Sequence, residues 1–217
     1  MKEQNNRIQK AVHQLFDARV HLGHRKSRWN PKMAPYIYGV REGIHVIDLN
    51  ETVSLLSKAL RVLANIVRDG GNVLFVGNRR ENALLSGALG KRYKDRVAFI
   101  NTKWVGGTLT NWETFDETKK RLAVKKKTRN KRISNYLQGF PADFGQPDLI
   151  VLLNVNNNRL LIREAMTLHI PIIGIVDTNS DPEGITYPIS GNDDSVRSQF
   201  FYCQAFSYVM NKSLYSE

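Results

Sequence analysis

The chain contains little cysteine and no long apolar run. Cys203 is the single cysteine among 217 residues, so no disulfide can form within the chain and a reducing compartment is expected. No stretch approaches the roughly 18 consecutive apolar residues that mark a membrane-spanning helix. The first residues, MKEQNNRIQKAVHQ, lack the apolar core of a secretory signal and make a poor transit peptide. We therefore expect a soluble globular protein, with a single domain over residues 1–217 and no membrane partner.

The motifs of common enzyme classes are also missing. There is no G-x-x-x-x-G-K-[ST] loop, no G-x-G-x-x-G turn after a strand and no G-x-S-x-G elbow. His21 and His24 could share a helix face, but no third metal ligand lies near them in the sequence. We therefore interpret both histidines as structural or RNA-contacting, and Cys203 as a core thiol.

Positive charge is abundant and unevenly distributed. The net charge is +12, and residues 119–132, KKRLAVKKKTRNKR, contain nine basic side chains and no acidic one. Residues 133–217 contain four basic and nine acidic side chains. This asymmetry indicates a protein that presents one side to a polyanion. A solvated lysine-rich surface is the alternative, although the basic run is too concentrated for an ordinary helix face.

Five short apolar segments predict the strands of a parallel sheet. They are apolar at successive positions, which is typical of strands covered on both faces. Helical patterns lie between most of them, and this strand–helix–strand order predicts a three-layer α/β/α sandwich with a five-stranded parallel sheet. The predicted strands are GIHVIDL (43–49), NVLFVG (72–77), RVAFIN (96–101), DLIVLL (148–153) and IPIIGIVD (170–177).

Capping residues and glycines delimit four predicted helices between and after these strands. They begin at Asn50, after Asn78, at Asn158 and near Asn192, and the first two end at Gly70-Gly71 and near Gly90.

Nearly fifty residues separate the third and fourth predicted strands. A structureless loop of that length is uncommon inside a compact domain. We therefore predict a helix from about Trp112 to Arg129, followed by a short return and a loop rich in glycine and proline. This short basic α-helical insertion, residues 104–146, is expected to project from the domain.

Two segments combine cations with aromatic or amide side chains. In HLGHRKSRWNPKMAPYIYGVREG, Pro31 and Pro35 prevent a long helix, so an extended loop is expected. In KWVGGTLTN, the glycine pair permits a sharp turn before the basic helix. Cations contact phosphates and tryptophan can stack on exposed bases, although packing beneath the sheet is an equal alternative for Trp29. The residues predicted to bind RNA are Arg25, Lys26, Arg28, Trp29, Lys32, Lys103, Trp104, Asn111, Lys119, Lys120, Lys125, Lys126, Lys127, Arg129, Lys131 and Arg132.

The segment IVDTNSDPEGITYPISGNDD is acidic in an otherwise basic chain. Asp177 is expected at the carboxyl end of the fifth predicted strand, where open α/β sheets bind ligands. Asp193 and Asp194 would begin the last helix, where the helix dipole favours carboxylates. One hypothesis is that Asp177, Asp193 and Asp194 hold a structural magnesium ion. The alternative is that they form turns, a helix start and ion pairs with basic residues.

Three stretches resemble, in order and spacing, the signatures of one family. ARVHLGHRKSRWNPKMAPYIYGVREGIHVIDL is similar to the amino-terminal signature of the bacterial and organellar ribosomal protein S2 family. KWVGGTLTN is similar to its central motif, and residues 147–198 to its carboxy-terminal signature. The resemblance covers nearly the whole chain.

The resemblance implies a three-layer α/β sandwich, a projecting helical hairpin and a non-enzymatic role. Members of this family bind small-subunit ribosomal RNA beside neighbouring small-subunit ribosomal proteins, and in bacteria they help to dock the large messenger-gathering ribosomal protein. Two other hypotheses stay open from the residues alone. One is a nucleotide- or sugar-metabolising enzyme that uses the acidic crevice, although the chain lacks a phosphate loop, a nucleophile and a base. The other is a free RNA-binding regulator.

Two departures from the family pattern concern location. The hairpin is reduced to about one basic helix and a short return, and NVNNNR (154–159) stands where bacterial members carry a charged stretch. Both departures suggest an organellar version, in the small ribosomal subunit of the mitochondrial matrix. A plastid or a bacterial cytoplasm is the alternative location.

Overall fold

The computed structural model describes residues 2–93, 96–125 and 135–215. Its helices are α1 (Lys2–Asp17), α2 (Leu49–Arg68), α3 (Arg80–Arg92), α4 (Trp112–Lys125), α5 (Arg159–Thr167) and α6 (Val196–Tyr215). Its strands are β1 (Leu22–Arg25), β2 (Ile37–Arg41), β3 (Ile44–Ile47), β4 (Val73–Val76), β5 (Val97–Ile100), β6 (Leu149–Leu152), β7 (Ile172–Val176) and β8 (Tyr187–Ser190). Among the described residues, no helix combines the length and apolarity needed to cross a bilayer.

A five-stranded parallel sheet forms the middle layer, in the order β5-β4-β6-β7-β8. Every residue of β4, β6 and β7 is buried. Because successive side chains of a strand point to opposite faces, each strand supplies two cores. Phe75 packs among residues of α2, α3 and α6, whereas Leu74 packs among residues of α5 and the 104–144 segment. The predicted three-layer α/β/α architecture is therefore confirmed.

The membership of the sheet differs from the prediction. The segment 43–49 forms β3, which is the middle strand of a separate antiparallel sheet in the order β1-β3-β2. Strands β2 and β3 are joined by Glu42 and Gly43, which both have positive φ, of 52° and 76°. Two such residues form the tight hairpin turn that suits the twist of paired strands. A local hairpin thus removes this apolar segment from the parallel sheet.

Strand β8 takes the fifth place in the parallel sheet. Its segment contains Pro188, which cannot donate to a sheet ladder, and it was not predicted as a strand. The structure pairs β8 with β7 alone, at one end of the sheet. An edge strand tolerates proline because one of its sides has no neighbour to bond.

The helices begin close to where the capping residues predicted them. Asp48, not Asn50, caps α2, because its side chain accepts a hydrogen bond from the Asn50 amide at 2.9 Å. Asn158 precedes α5 as predicted. Asn192 lies before α6, and its Oδ1 accepts from the amides of Asp194 and Ser195 at 2.9 and 3.0 Å. Helix α1, which was not predicted, adds Leu15 to the core.

The sheet order creates one crevice at its carboxyl edge. The chain leaves β4 towards β5 on one side and returns to β6 on the other side of β4. Open α/β sheets bind ligands where the strand order reverses in this way. Asn78, Arg79 and Asn154 follow β4 and β6 at this crevice.

Candidate nucleic-acid interface and acidic crevice

The basic loop, residues 25–32, begins where β1 ends. A short turn over Lys26–Arg28 leaves the side chains of Arg25, Lys26 and Arg28 exposed. Within the described parts of the chain, none of these three cations forms an ion pair. Arg25 and Arg28 line an open hollow of about 350 Å³ together with His24 and Ser27, and Lys26 lies beside it in the sequence. Three exposed cations without ion-pair partners on one short loop are suited to phosphate contacts.

The base of this loop is held in place by polar contacts to the rest of the fold. The Asn30 amide donates to the Thr178 carbonyl at 2.8 Å, and the Asn30 side chain accepts from the Lys32 amide at 3.0 Å. The ring of half-buried Trp29 lies 5.0 Å from the ring of His45. Trp29 thus packs partly against β3 of the antiparallel sheet, and base stacking by its exposed part stays a prediction.

Lys32 is tied to the acidic segment. Its ammonium group lies 3.1 Å from Asp181 Oδ1 and also contacts Glu183. The hydrogen bonds to Glu183 and then to Asp181 raise the pKa of Lys32. Because its charge is shared with two carboxylates, Lys32 is a weaker candidate for phosphate binding than Arg25, Lys26 and Arg28.

The KWVGGTLTN loop is organised by a buried carboxylate. Glu164 of α5 is 7% exposed, and its Oε1 accepts from the Trp104 indole at 3.0 Å and from the Gly107 amide at 2.9 Å. Its Oε2 accepts from the Leu109 amide at 3.0 Å and from the Thr110 amide at 3.4 Å. Gly107 has φ +85°, a conformation that favours glycine. Glu164 therefore fixes the loop that leads into α4.

This arrangement corrects the prediction for Trp104. The side chain is 6% exposed and its indole nitrogen is already bonded. A buried ring cannot stack on a nucleic-acid base, so Trp104 is a packing residue. Lys103 and Asn111, on either side of the loop, are exposed.

Helix α4 contains a second correction. Lys119 is 3% exposed, and its ammonium group donates to the Phe144 carbonyl at 2.6 Å and pairs with Asp116 at 2.8 Å. It fastens α4 to the core and cannot reach a phosphate. Lys120, which also pairs with Asp116, is exposed. Lys125 ends α4, and the predicted residues Lys126, Lys127, Arg129, Lys131 and Arg132 lie outside the described residues.

The acidic crevice gathers three carboxylates and two cations. His24 lies between Asp177, 3.2 Å from Nδ1, and Asp194, 3.0 Å from Nε2. The contact with Asp177 raises the pKa of His24 despite partial burial of the ring. Arg79 lies 3.0 Å from Asp193 and also contacts Asp194. The network ties the antiparallel sheet to the carboxyl edge of the parallel sheet.

Asp193 is the most perturbed group in this network. Its side chain is fully buried, and burial followed by the nearby charge of Asp177 raises its pKa to about 7. Arg79 holds its Oδ1, while its Oδ2 has no hydrogen-bond partner among the described residues. No sequence pattern indicated that Arg79 would contact these carboxylates.

The group best placed to hold a cation differs from the predicted one. His24, Asp177 and Asp194 each offer one ligand atom, and these three atoms lie within 4.8 Å of one another. His24 was set aside because no third ligand was near it in sequence, but the fold supplies two from beyond residue 170. An imidazole in the set favours a zinc-class ion, because magnesium prefers oxygen ligands alone.

The rest of the crevice is filled by amide side chains. Asn78 donates to Asn158 at 2.9 Å, and Asn158 donates to the Asn154 carbonyl at 2.8 Å. Gln199 of α6 donates to the carbonyls of Leu153 and Asp193, both at 2.9 Å. Neutral amides in the place where an enzyme would hold substrate do not supply a nucleophile or a base.

This α/β sandwich combines an exposed basic loop, which is suited to a polyanion, with a crevice that is filled by neutral amides. The family model described as Ribosomal protein S2 matches residues 15–213, and the chain belongs to this family, which is not enzymatic. The enzymatic hypothesis is therefore set aside.

Curated bacterial relatives are about two-fifths identical to the chain over the aligned residues. The small ribosomal subunit protein uS2 of Gluconobacter oxydans (strain 621H) is 41% identical, over 90% of this chain and 80% of the relative. The protein of the same name from Bartonella tribocorum (strain CIP 105476 / IBS 506) is 40% identical over the same shares. That of Rhodopseudomonas palustris (strain TIE-1) is 42% identical, over 89% of this chain and 63% of the relative.

Proposed function

We propose that the chain is a structural constituent of the small ribosomal subunit and binds ribosomal RNA through its basic loop. The observation that carries this proposal is the set of exposed, unpaired cations Arg25, Lys26 and Arg28, which lie on a loop anchored by hydrogen bonds. Membership of the Ribosomal protein S2 family supplies the ribosomal context.

The exposed side of α4 is the second proposed contact. Lys120 lies on it, and the basic run continues into residues 126–132. Lys103 and Asn111 flank the loop that Glu164 holds, so they complete this second surface. Neighbouring small-subunit proteins are the remaining proposed partners.

Sedimentation of the tagged chain with small subunits tests the RNA contact. We expect the variant Arg25→Ala/Arg28→Ala to leave the small-subunit fraction at lower salt than the wild type. Loss of two phosphate contacts should make the negative slope of log affinity against log salt concentration shallower by roughly 1.4 to 1.8. The control is Lys91→Ala, which removes an exposed cation at the end of α3. Identical salt profiles for all three proteins would contradict the role of the loop.

For location, we propose the mitochondrial small subunit, with the bacterial cytoplasm as the second candidate. The short basic insertion and the asparagine-rich segment favour the organelle, whereas the curated relatives are bacterial and favour the second candidate. Sedimentation from lysates of purified organelles and from whole-cell lysates distinguishes the two. We expect the chain to cosediment with small subunits in the organelle lysate.

We also propose that His24, Asp177 and Asp194 hold a structural divalent cation. The buried, unpartnered Oδ2 of Asp193 in the same network supports a cation there. Calorimetric titration of the metal-free chain with zinc and with magnesium tests this proposal. We expect one zinc site that His24→Gln abolishes and the control Asp181→Asn preserves. Equal binding by the wild type and His24→Gln would overturn it, and binding of magnesium alone would restore the aspartate set predicted from the sequence.

A further inference from the structure

An apolar groove lies on the helical layer that is formed by α1, α2 and α6. It has a volume of about 670 Å³. Its floor includes Leu15, Leu56, Leu60, Phe201 and Val209. The acidic crevice and the basic loop contribute no residue to it.

The groove exists because α2 carries a wider apolar stripe than the sheet can cover. Ala59 and Leu63 are fully buried against the sheet, whereas Val53 and Leu60 of the same helix are only half-buried. On α6, Phe201 and Val209 are likewise half-buried. Apolar side chains that meet across a groove and stay accessible mark an interaction surface.

Cations rim the groove, and none of its lining residues in the described part of the chain is acidic. Arg61 and Arg68 come from α2, and Lys212 comes from the last turn of α6. The Arg61 guanidinium rests on Ser57 at 3.4 Å, and Arg68 donates to Asn65 at 2.7 Å, both within α2. No carboxylate in the described part of the chain neutralises these two arginines.

We propose that this groove binds an acidic amphipathic helix of a neighbouring small-subunit protein, an inference that rests on the proposed ribosomal function. Apolar side chains at i, i+3, i+4 and i+7 would fill the floor, as in other helix-in-groove complexes. Glutamate or aspartate on the flanks of that helix would pair with Arg61, Arg68 and Lys212. RNA is disfavoured, because phosphates would meet the cations but leave the apolar floor exposed to water.

Peptide binding to the isolated full-length chain tests the groove without a ribosome. The probes are two fluorescein-labelled helical peptides with the same leucines, one with glutamate flanks and one with lysine flanks. We expect the glutamate peptide to bind about fivefold or more tightly than the lysine peptide, because each exposed ion pair contributes a modest factor. Arg61→Glu/Arg68→Glu should reverse this preference.

Lys58→Glu is the matched control, since Lys58 is exposed on the same helix but does not line the groove. It should retain the preference of the wild type for the glutamate peptide. Equal affinity for the two peptides, or an equal effect of Lys58→Glu and the double variant, would overturn the inference.

Photo-crosslinking in assembled small subunits identifies the class of partner. A photoreactive residue replaces Ala64, which lines the groove and is half-buried. In purified subunits we expect a protein crosslink that survives ribonuclease and is lost when Arg61→Glu/Arg68→Glu is added. A ribonuclease-sensitive crosslink, or none in subunits that contain the chain, would overturn the inference. Exclusion of the chain from subunits would instead refute the proposed function, and the peptide measurement would still decide whether the groove binds an acidic helix.

Discussion

At the residue scale, a single buried carboxylate decides how the central loop is arranged. Glu164 faces four N–H donors, from Trp104, Gly107, Leu109 and Thr110. A carboxylate has enough lone pairs for all four, and hydrogen bonds to a charged acceptor are stronger than neutral ones. The loop residues themselves contribute no comparable acceptor, so their geometry depends on α5.

Glu164→Gln should therefore destabilise the protein. The amide group replaces one acceptor oxygen, so two of the four N–H donors, one of them buried, lose their acceptor. We expect the free energy of unfolding to fall by about 2–3 kcal/mol, which urea denaturation would measure. Glu113→Gln, a change of the same chemistry at an exposed position of α4, serves as control and should unfold like the wild type. Matching midpoints for the Glu164 variant and the wild type would show that the carboxylate does not hold the loop.

His24 shows what residue patterns could not predict. Its neighbours in the sequence offer no ligand, yet the fold places it between Asp177 and Asp194. The role of Glu164 left a weak signal, namely a charge among the apolar positions of LLIREAM. Arg79 left none, because an arginine at a helix start resembles any exposed cation.

At the scale of the element, α4 uses its lysines for two different purposes. Lys119 points into the core and Lys120 into solvent, although they are adjacent in a basic run. Hydrogen bonds from Lys119 and then Lys120 hold the pKa of Asp116 below its usual value. The basic helix is therefore partly a structural device and partly a surface for RNA.

Paired variants on α4 separate the two purposes. Lys119→Ala should lower the free energy of unfolding by about 1–3 kcal/mol, because the Phe144 carbonyl loses its buried donor. Lys120→Ala should leave thermal unfolding unchanged but weaken retention on small subunits at raised salt. Calorimetry and sedimentation of both variants provide the two measurements. A destabilised Lys120→Ala protein, or a Lys119→Ala protein as stable as the wild type, would contradict this division.

Strand membership also belongs to the element scale. The apolar segment 43–49 was predicted to lie in the parallel sheet but lies in the antiparallel one, and β8, which was not predicted as a strand, completes the parallel sheet. Apolar composition shows that a segment is buried but not which sheet covers it. The positive φ values of Glu42 and Gly43 allow the tight turn that joins β2 and β3. Strand β8 pairs with β7 at the edge of the parallel sheet, where a proline is tolerated.

At the scale of the whole molecule, the uneven charge along the chain gives surfaces of different character. The acidic segment lies against the start of the basic loop, where the ion pairs His24–Asp177 and Lys32–Asp181 join them. Part of the positive charge is thereby neutralised internally, while Arg25, Lys26 and Arg28 stay free. Helices α2 and α6 carry a separate apolar groove with a basic rim.

The sequence by itself determined the fold class, most helix starts, the basic loop and the family, because these depend on local periodicity, capping and motif spacing. Only the tertiary structure decided which cations are free, which strand completes the sheet and which residues share the crevice. Trp104 and Lys119 were predicted to face RNA but are buried. Burial and ion pairing depend on contacts between segments that are distant in the chain, such as His24 with Asp177, and local patterns carry no information about those contacts.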